Sequence, residues 1–259
     1  MSARFQCLSF VFPAWNEEAM LTQTVLAASE AGAYLVDAGE LDDYEIVLVD
    51  DGSTDRTAQI IDELADADVH VVGVHHEHNR GLGAAIRSGF EASSGDIICY
   101  TDTDLPFDLL LLGKAFRLLR IYDADIVSMY RFDRTAEGPK RYWFSHLYNW
   151  LVRYTLDVKL RDVNFAGKLI RRNVLDRVDL RSEGSFLDVE LIAQAQRLGF
   201  SIIQFGVDYF PRTRGDSTLA APGVIVKILS ELRRERKRLR GIQPLGPGER
   251  NSPNTGVHR

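Results

Sequence analysis

The strongest constraint on the fold is an alternation of short apolar runs with longer amphipathic stretches. The apolar runs are CLSFVF, YEIVLVD, VHVVGVH and DIICYTD, and helical patterns lie between them, the first over 17–36 and the next from Thr54. Repeated strand–helix–strand units of this kind favour a mostly parallel sheet with helices on both faces. The sequence therefore predicts an α/β fold.

Each of these four predicted strands ends in polar residues. The segments are PAWNE at 13–17, DDGS at 50–53, HNRG at 78–81 and DTD at 102–104. Ligands of open parallel sheets bind beyond the carboxyl ends of the strands. We therefore expect the four segments to meet at one edge of the sheet and to form the ligand site there.

Composition excludes several classes of protein. The 259 residues are 45% hydrophobic, which is enough for a sizeable core, and a net charge of −6 with a pI near 5.6 argues against a nucleic-acid partner. No run reaches the ~18 uncharged apolar residues of a membrane-spanning helix. Asn16 and Glu17 follow the first apolar run without a cleavage pattern, so it is expected to be a strand rather than a signal peptide. Cys7 and Cys99 lie in apolar runs and are expected to be small buried hydrophobic residues rather than a disulfide or a metal-binding pair. The chain is predicted to be cytoplasmic.

The segment VLVDDGSTD admits two interpretations. Gly52 permits a tight turn, and Ser53 or Thr54 can cap the helix that follows. One acid would suffice for such a turn, whereas two adjacent acids precede it. A carboxylate at a strand end can also accept hydrogen bonds from a ribose or a base. Turn capping and nucleotide binding both stay open for Asp50 and Asp51.

The glycine pair Gly81 and Gly83 precedes another helical pattern. Glycine lets the backbone approach a neighbouring segment closely. The pair lacks the spacing of the dinucleotide fingerprint and of the phosphate-binding P-loop. By itself it is a weak functional signal.

Asp102 and Asp104 form the sharpest candidate site. Residues i and i+2 of an extended segment point to the same side, so both carboxylates can reach one hard cation such as Mg²⁺ or Mn²⁺. Magnesium takes one or two carboxylates and completes its shell with water and substrate phosphates. The alternative is a solvated turn before Pro106.

Together these motifs resemble the family 2 glycosyltransferases with the GT-A fold. The order and spacing of PAWNE, VDDGSTD, NRGLGAAIRSGFEASSGD and TDTD carry the resemblance, which continues through 125–131, 161–175 and 186–217. Within the family the chain is most similar to the polyprenyl-phosphate sugar transferases, which include the dolichyl-phosphate mannosyltransferases and glucosyltransferases. The resemblance implies a GT-A domain over 1–220.

The resemblance also implies roles for matching residues. Asp102 and Asp104 would hold the divalent metal, and Arg131 would lie near the phosphates. Asp188 and Glu190 match an acidic pair of the family. Pro106 stands where many relatives have a glutamine that can ligate the metal. The implied nucleotide-sugar-binding residues are Pro13, Ala14, Trp15, Glu17, Asp50, Asp51, Gly81, Asp102, Thr103, Arg212, Arg214 and Ser217.

The implied reaction moves a hexose from a nucleotide sugar, GDP-mannose or UDP-glucose, with inversion of the anomeric centre. A metal ion would stabilise the diphosphate leaving group. A polyprenyl phosphate acceptor, with a second pKa near 6, is already an anionic nucleophile. A hydroxyl acceptor would need a base, for which Asp188 is the candidate. A non-catalytic, membrane-associated binding module is the third hypothesis.

Two further segments bear on the acceptor. A helix over about 140–158 would have an apolar face with basic residues nearby, which suits a membrane surface or packing on the main domain. The residues of this face are Trp143, Leu147, Trp150 or Leu151, Tyr154 and Val158. A basic amphipathic helix over 221–241 is predicted as an appendage that attracts anionic lipid or is simply solvated, and 242–259 as a disordered tail. The resemblance implies peripheral attachment at the cytoplasmic face of a membrane and leaves room for an integral-membrane partner.

Overall fold

The computed structural model describes residues 4–132, 150–210, 222–246 and 249, and the side chains of the last long helix from Ser230 onward. A short 3₁₀ helix covers Leu109–Leu111. The strands are β1 Phe5–Ala14, β2 Leu41–Asp50, β3 Val71–His75, β4 Ile97–Thr101, β5 Ile126–Arg131, β6 Gly167–Arg171 and β7 Ile202–Val207. The helices are α1 Leu21–Asp37, α2 Thr57–Ala67, α3 Leu82–Ala92, α4 Leu112–Ile121, α5 150–156, α6 Arg172–Leu175, α7 Leu187–Leu198 and α8 Pro222–Gly241.

The seven strands of the described residues form one sheet in the order β3-β2-β1-β4-β6-β5-β7. Strand β6 runs antiparallel to β4 and β5, and the other neighbouring pairs are parallel. The order of the strands reverses between β1 and β4. This arrangement confirms the predicted mostly parallel α/β sheet, and the reversal is the place where such sheets bind ligands.

Alternate side chains of the strands pack into two hydrophobic layers. On one face, Phe10 and Phe12 of β1 lie in a cluster with residues of α1, α2 and α4. On the other face, Val11 packs with α3, α5, α7 and α8. Neighbouring residues of a strand point to opposite faces, so the continuous apolar run in β1 fits burial on both sides. The prediction of helices on both faces is confirmed.

Helix α8 packs on the domain. Its Leu232 and Leu239 are buried in the same cluster as α7, and residues 242–246 continue along α7, where the Leu245 N–H donates to Leu198 O at 3.1 Å. The predicted division into a domain and an appendage stays untested, but these contacts tie the helix to the main core. None of the helices in the described ranges is long and apolar enough to cross a membrane.

Helix α5 has one buried and one exposed face. Val152 and Leu156 are buried, whereas Trp150 and Tyr154 are 60% and 72% exposed. The two exposed rings stack with their centroids 5.7 Å apart. The predicted segment before Trp150 lies outside the described residues. The described part therefore both packs on the domain and presents aromatic rings at the surface.

Candidate active site

The four polar segments meet at one edge of the sheet. Ala14, Asp50 and His75 lie side by side in the ladder at the ends of β1, β2 and β3, and β4 ends next to β1. The Asp51 N–H donates to Ala14 O at 2.8 Å, and the His76 N–H donates to Asp50 O at 2.9 Å. The sheet brings the predicted segments together. Pro13 and Ala14 are buried in this edge and contribute backbone to it.

Hydrogen bonds join the turn after β1 to the loop before α2 and to the first residue of that helix. The Asn16 N–H donates to Ser53 Oγ and the Glu17 N–H to Thr57 Oγ1, each at 2.9 Å. Asn16 adopts a left-handed conformation with φ of 56°. Trp15 lies between Asn16 and Ala14, whose carbonyl accepts from the Asp51 N–H, and it is 51% exposed. The backbone on both sides of a half-exposed aromatic residue is thus fixed at the strand edge.

Asp50 holds its own turn. The Ser53 N–H donates to Asp50 Oδ1 at 2.9 Å, which closes the tight turn at Gly52. Asp50 Oδ2 lies 3.5 Å from His75 Nδ1 on the neighbouring strand. The carboxylate is nearly fully buried. Turn capping therefore has a structural basis, and a contact of Asp50 with a nucleotide stays a prediction.

Asp51 holds a different loop. Its carboxylate accepts hydrogen bonds from the N–H groups of Arg80 and Gly81, at 2.9 and 2.8 Å, and lies 2.7 Å from His76 Nδ1. Each of the two adjacent acids therefore caps a separate turn. This accounts for the second acid that a single capped turn did not explain.

Gly81 and Gly83 allow the segment 182–184 to approach the start of α3. Gly81 has a φ of 96°, and an added Cβ there would lie 2.6 Å from Glu183 O. At Gly83 an added Cβ would lie 2.4 Å from Ser182 O. The Gly83 N–H donates to Glu183 O at 2.8 Å. The glycine pair is required for this close backbone contact.

Asp102 and Asp104 follow β4 in a turn rather than in the extended segment assumed from the sequence. The Leu105 N–H donates to Asp102 O at 3.2 Å, and Leu105 has a positive φ of 50°. Thr103 is buried, and its carbonyl accepts a hydrogen bond from Thr24 Oγ1 of α1 at 2.6 Å. The backbone of the pair is therefore anchored while both carboxylate residues stay half-buried at the edge.

The chemistry of this pair fits a hard divalent cation. The described part of the chain contains no group of three or more His, Cys, Asp or Glu side chains arranged for a metal. Asp108 caps the 3₁₀ helix by accepting from the Leu110 N–H at 2.9 Å. Asp102 and Asp104 would therefore hold Mg²⁺ or Mn²⁺ together with water and a diphosphate, as magnesium prefers. The predicted metal role of the two aspartates stays a prediction that their position supports.

Arg131, at the end of β5, is held by an acid that the sequence did not single out. Its Nε and Nη2 donate to Asp162 at 2.8 and 3.1 Å, and its guanidinium packs on the rings of Phe165 and Tyr209. Such a fork fixes the orientation of an arginine. The predicted contact of Arg131 with phosphates stays a prediction.

Asp188 forms a buried ion pair with Lys168. Lys168 Nζ donates to Asp188 Oδ1 at 2.5 Å and to Phe165 O at 2.8 Å, and it lies over the ring of Tyr100. Burial raises the pKa of Asp188, and the Lys168 ammonium opposes that rise. A lysine inside an apolar strand is the sequence signal for such a pair, because a buried ammonium needs a counter-ion.

Three further residues predicted from the resemblance, Arg212, Arg214 and Ser217, lie outside the described residues. Their predicted contact with the nucleotide sugar therefore stays a prediction.

The family assignment rests on most of the chain. Residues 9–179 match the family model for glycosyl transferase family 2. The chain belongs to glycosyltransferase family 2. This glycosyltransferase is 35% identical to the glycosyltransferase AglD of Haloferax volcanii over 210 residues, which are 79% of this chain and 33% of that protein.

A second relative covers a larger share of the chain. The undecaprenyl-phosphate 4-deoxy-4-formamido-L-arabinose transferase of Pseudomonas fluorescens is 31% identical over 232 residues, which are 87% of this chain and 64% of that protein. The glycosyltransferase thus spans about a third to two thirds of the length of the curated relatives it matches.

Solved structures confirm the fold. Glucosyl-3-phosphoglycerate synthase of Mycobacterium tuberculosis, in complex with Mn²⁺, UDP-glucose and phosphoglyceric acid, matches with a TM-score of 0.67 and 22% identity over 90% of this chain and 80% of that one. At this identity the likeness shows the fold alone. It confirms the predicted GT-A architecture.

Proposed function

We propose that this glycosyltransferase moves a hexose, with inversion, from GDP-mannose or UDP-glucose to a polyprenyl phosphate at a membrane surface. The observation that carries the proposal is the position of Asp102 and Asp104, next to the end of β1 at the reversal point of the sheet. A relative named for undecaprenyl phosphate supports the acceptor class. A neighbour in fold crystallised with Mn²⁺ and UDP-glucose supports a divalent ion and a nucleotide-sugar donor.

Different residues at the edge of the sheet bind different parts of the donor. The exposed ring of Trp15 offers a face on which the base stacks. Asp102 and Asp104 would hold the divalent ion, whose charge would stabilise a diphosphate leaving group. The bonds between Asp51 and the N–H groups of Arg80 and Gly81 keep the neighbouring loop in place.

The buried ion pair of Lys168 and Asp188 favours a phosphate acceptor over a hydroxyl acceptor. A hydroxyl must lose its proton to a base that it can touch. Asp188 is only 3% exposed and is bonded to Lys168. A phosphate monoester, with a second pKa near 6, carries its nucleophilic charge at neutral pH without such a base. The contacts of Asp188 therefore fit transfer to a lipid monophosphate.

Trp15→Ala is expected to weaken binding of the nucleoside diphosphate that the unaltered protein binds, UDP or GDP, about tenfold. Stacking of a base on an aromatic ring contributes roughly 1–3 kcal/mol. The thermal midpoint should stay unchanged since the ring is half exposed. Calorimetric titration with Mn²⁺ present measures the affinity, and a thermal melt without nucleotide measures the midpoint. Tyr122→Ala, at an exposed ring after α4, serves as the control; equal affinities for all three proteins would contradict the stacking role.

Attachment at the cytoplasmic face of a membrane is part of the proposal. The stacked rings of Trp150 and Tyr154 suit the headgroup level of a bilayer. Several basic side chains of α8 are exposed and would attract anionic lipid. They are Arg233, Arg234, Arg236, Lys237 and Arg240.

Replacement of both Trp150 and Tyr154 by serine is expected to lower the fraction of protein that sediments with vesicles of phosphatidylcholine and 30% phosphatidylglycerol by about tenfold, because two interfacial rings lose their apolar burial. Tyr122→Ser, an exposed ring after α4, is the control and should sediment like the unaltered protein. Unchanged sedimentation of the double variant would show that α5 does not face the membrane.

A thermal-shift screen tests the donor half of the proposal. UDP, GDP, ADP and CDP are each added with and without Mn²⁺ to the full chain. We expect UDP or GDP to raise the midpoint, and to do so only with the metal, because a ligand stabilises the state that binds it by mass action. No shift with any of the four, or shifts that ignore Mn²⁺, would overturn the proposed donor site.

A further inference from the structure

Glu190 is a buried carboxylate in the first turn of α7 that the proposed chemistry does not use. It is 0% exposed. Its oxygens accept hydrogen bonds from the Arg181 N–H at 3.1 Å and from the Ser182 N–H at 2.9 Å. Arg238 of α8 forms an ion pair with the same carboxylate. A buried charge requires such compensation, so the helix α8 supplies the cation that lets Glu190 hold the segment 181–184.

The segment 181–184 is clamped on its other side by α3. The Gly83 N–H donates to Glu183 O at 2.8 Å, and Arg87 Nη1 donates to Ser182 O at 2.5 Å. The absence of side chains at Gly81 and Gly83 brings the two backbones into direct contact. A displacement of 181–184 would therefore remove the support of the glycine segment.

The glycine segment in turn reaches the ends of β1 and β2. Arg80 and Gly81 donate their N–H groups to Asp51, and the Asp51 N–H donates to Ala14 O. A continuous set of hydrogen bonds thus runs from Arg238 through Glu190 and 181–184 to the edge that carries Trp15 and the aspartate pair.

We propose that Glu190 and Arg238 are positioning residues for the donor site. Through the segment 181–184 they hold residues 80–83 in the conformation that receives the nucleotide sugar. The inference rests on the proposed function for the identity of the ligand, since residues 80–83 lie at the proposed donor edge. It makes α8 a working part of the transferase domain rather than a separate basic tail.

Arg238→Met in the full chain tests the inference. We expect the donor KM and the Kd of the matching nucleoside diphosphate with Mn²⁺ to rise about fivefold or more, a usual size for coupling between sites, with kcat at saturating donor unchanged. Amide hydrogen exchange should quicken in 80–83 and 181–184 and stay the same in the strands. Arg4→Met, which removes an exposed pair with Asp42, is the matched control and should change neither reading.

A double variant separates positioning from general destabilisation. Arg238→Met combined with Glu190→Gln is expected to bind the donor no more weakly than Arg238→Met alone, because the contact between the two side chains is already lost in the single variant. Arg238→Lys, which keeps the charge, should recover most of the affinity and serves if the methionine variant does not fold. A lower thermal midpoint with unchanged donor affinity and unchanged exchange in 80–83 would overturn the inference. If the unaltered protein binds no nucleotide, the proposed function fails. The exchange pattern still shows whether Glu190 and Arg238 hold residues 80–83 in place.

Discussion

Asp102→Asn and Asp104→Asn are each expected to lower the rate of hexose transfer about a thousandfold, which corresponds to roughly 4 kcal/mol of lost transition-state stabilisation. The carboxylates follow β4 at the proposed donor edge, and an amide holds a divalent cation poorly. Initial rates at saturating donor and a series of Mn²⁺ concentrations measure the effect. The half-saturating Mn²⁺ concentration should rise in both variants.

Asp108→Asn supplies the matched control for this pair. Asp108 lies four residues beyond Asp104 and caps the 3₁₀ helix through the Leu110 N–H, so its loss should leave the rate within a few-fold and cost about 1 kcal/mol of stability. Equal losses in all three variants would show a folding effect. Full transfer activity of both metal-pair variants would contradict the metal role of the pair. Metal-dependent nucleotide binding without transfer by the unaltered protein would favour the non-catalytic binding module.

Lys168→Met is expected to lower the free energy of unfolding at pH 7 by about 3–5 kcal/mol, because it leaves the Asp188 carboxylate buried without its cation. Burial already raises the pKa of Asp188, and loss of Lys168 removes what opposes that rise. A carboxyl whose pKa is raised in the folded state destabilises the fold as pH increases above its unfolded pKa of about 4. Urea unfolding of the variant at pH 5 and pH 8 should therefore show the greater loss at pH 8.

The double variant Lys168→Met with Asp188→Asn distinguishes the two acceptor hypotheses. It removes both charges, so the free energy of unfolding should recover by more than half. If the acceptor is a phosphate monoester, transfer should return to within about tenfold of the unaltered protein, because no base is required. A folded double variant with no activity would instead indicate that Asp188 is the base for a hydroxyl acceptor.

Much of the fold follows from local patterns. The alternation of apolar runs with amphipathic stretches predicted the parallel strands β1 to β4, and their polar ends do meet at one edge. Local patterns do not predict the full structural role of Asp50 and Asp51. The sequence indicated a turn there, but only the structure shows that Asp51 caps the loop at Gly81, thirty residues further along.

The pairings that the sequence did not predict join charged groups that lie far apart along the chain. Asp162 pairs with Arg131 and Lys168 with Asp188, across 31 and 20 positions of the chain. Glu190 and Arg238 are separated by 48. The spacing of hydrophobic residues along the chain does not indicate which charged residues pair. An isolated charge inside an apolar strand or helix face is the one local sign of them, since it requires a counter-ion once it is buried.

Partition of the transferred sugar tests the central claim most directly. The full chain is incubated with Mn²⁺, a polyprenyl phosphate in detergent and radiolabelled GDP-mannose or UDP-glucose, and the product is extracted with chloroform and methanol. The account predicts that the label enters the organic phase with one of the two donors, only with the metal, and not with Asp102→Asn. Label that is transferred but stays entirely in the water-soluble fraction would contradict it.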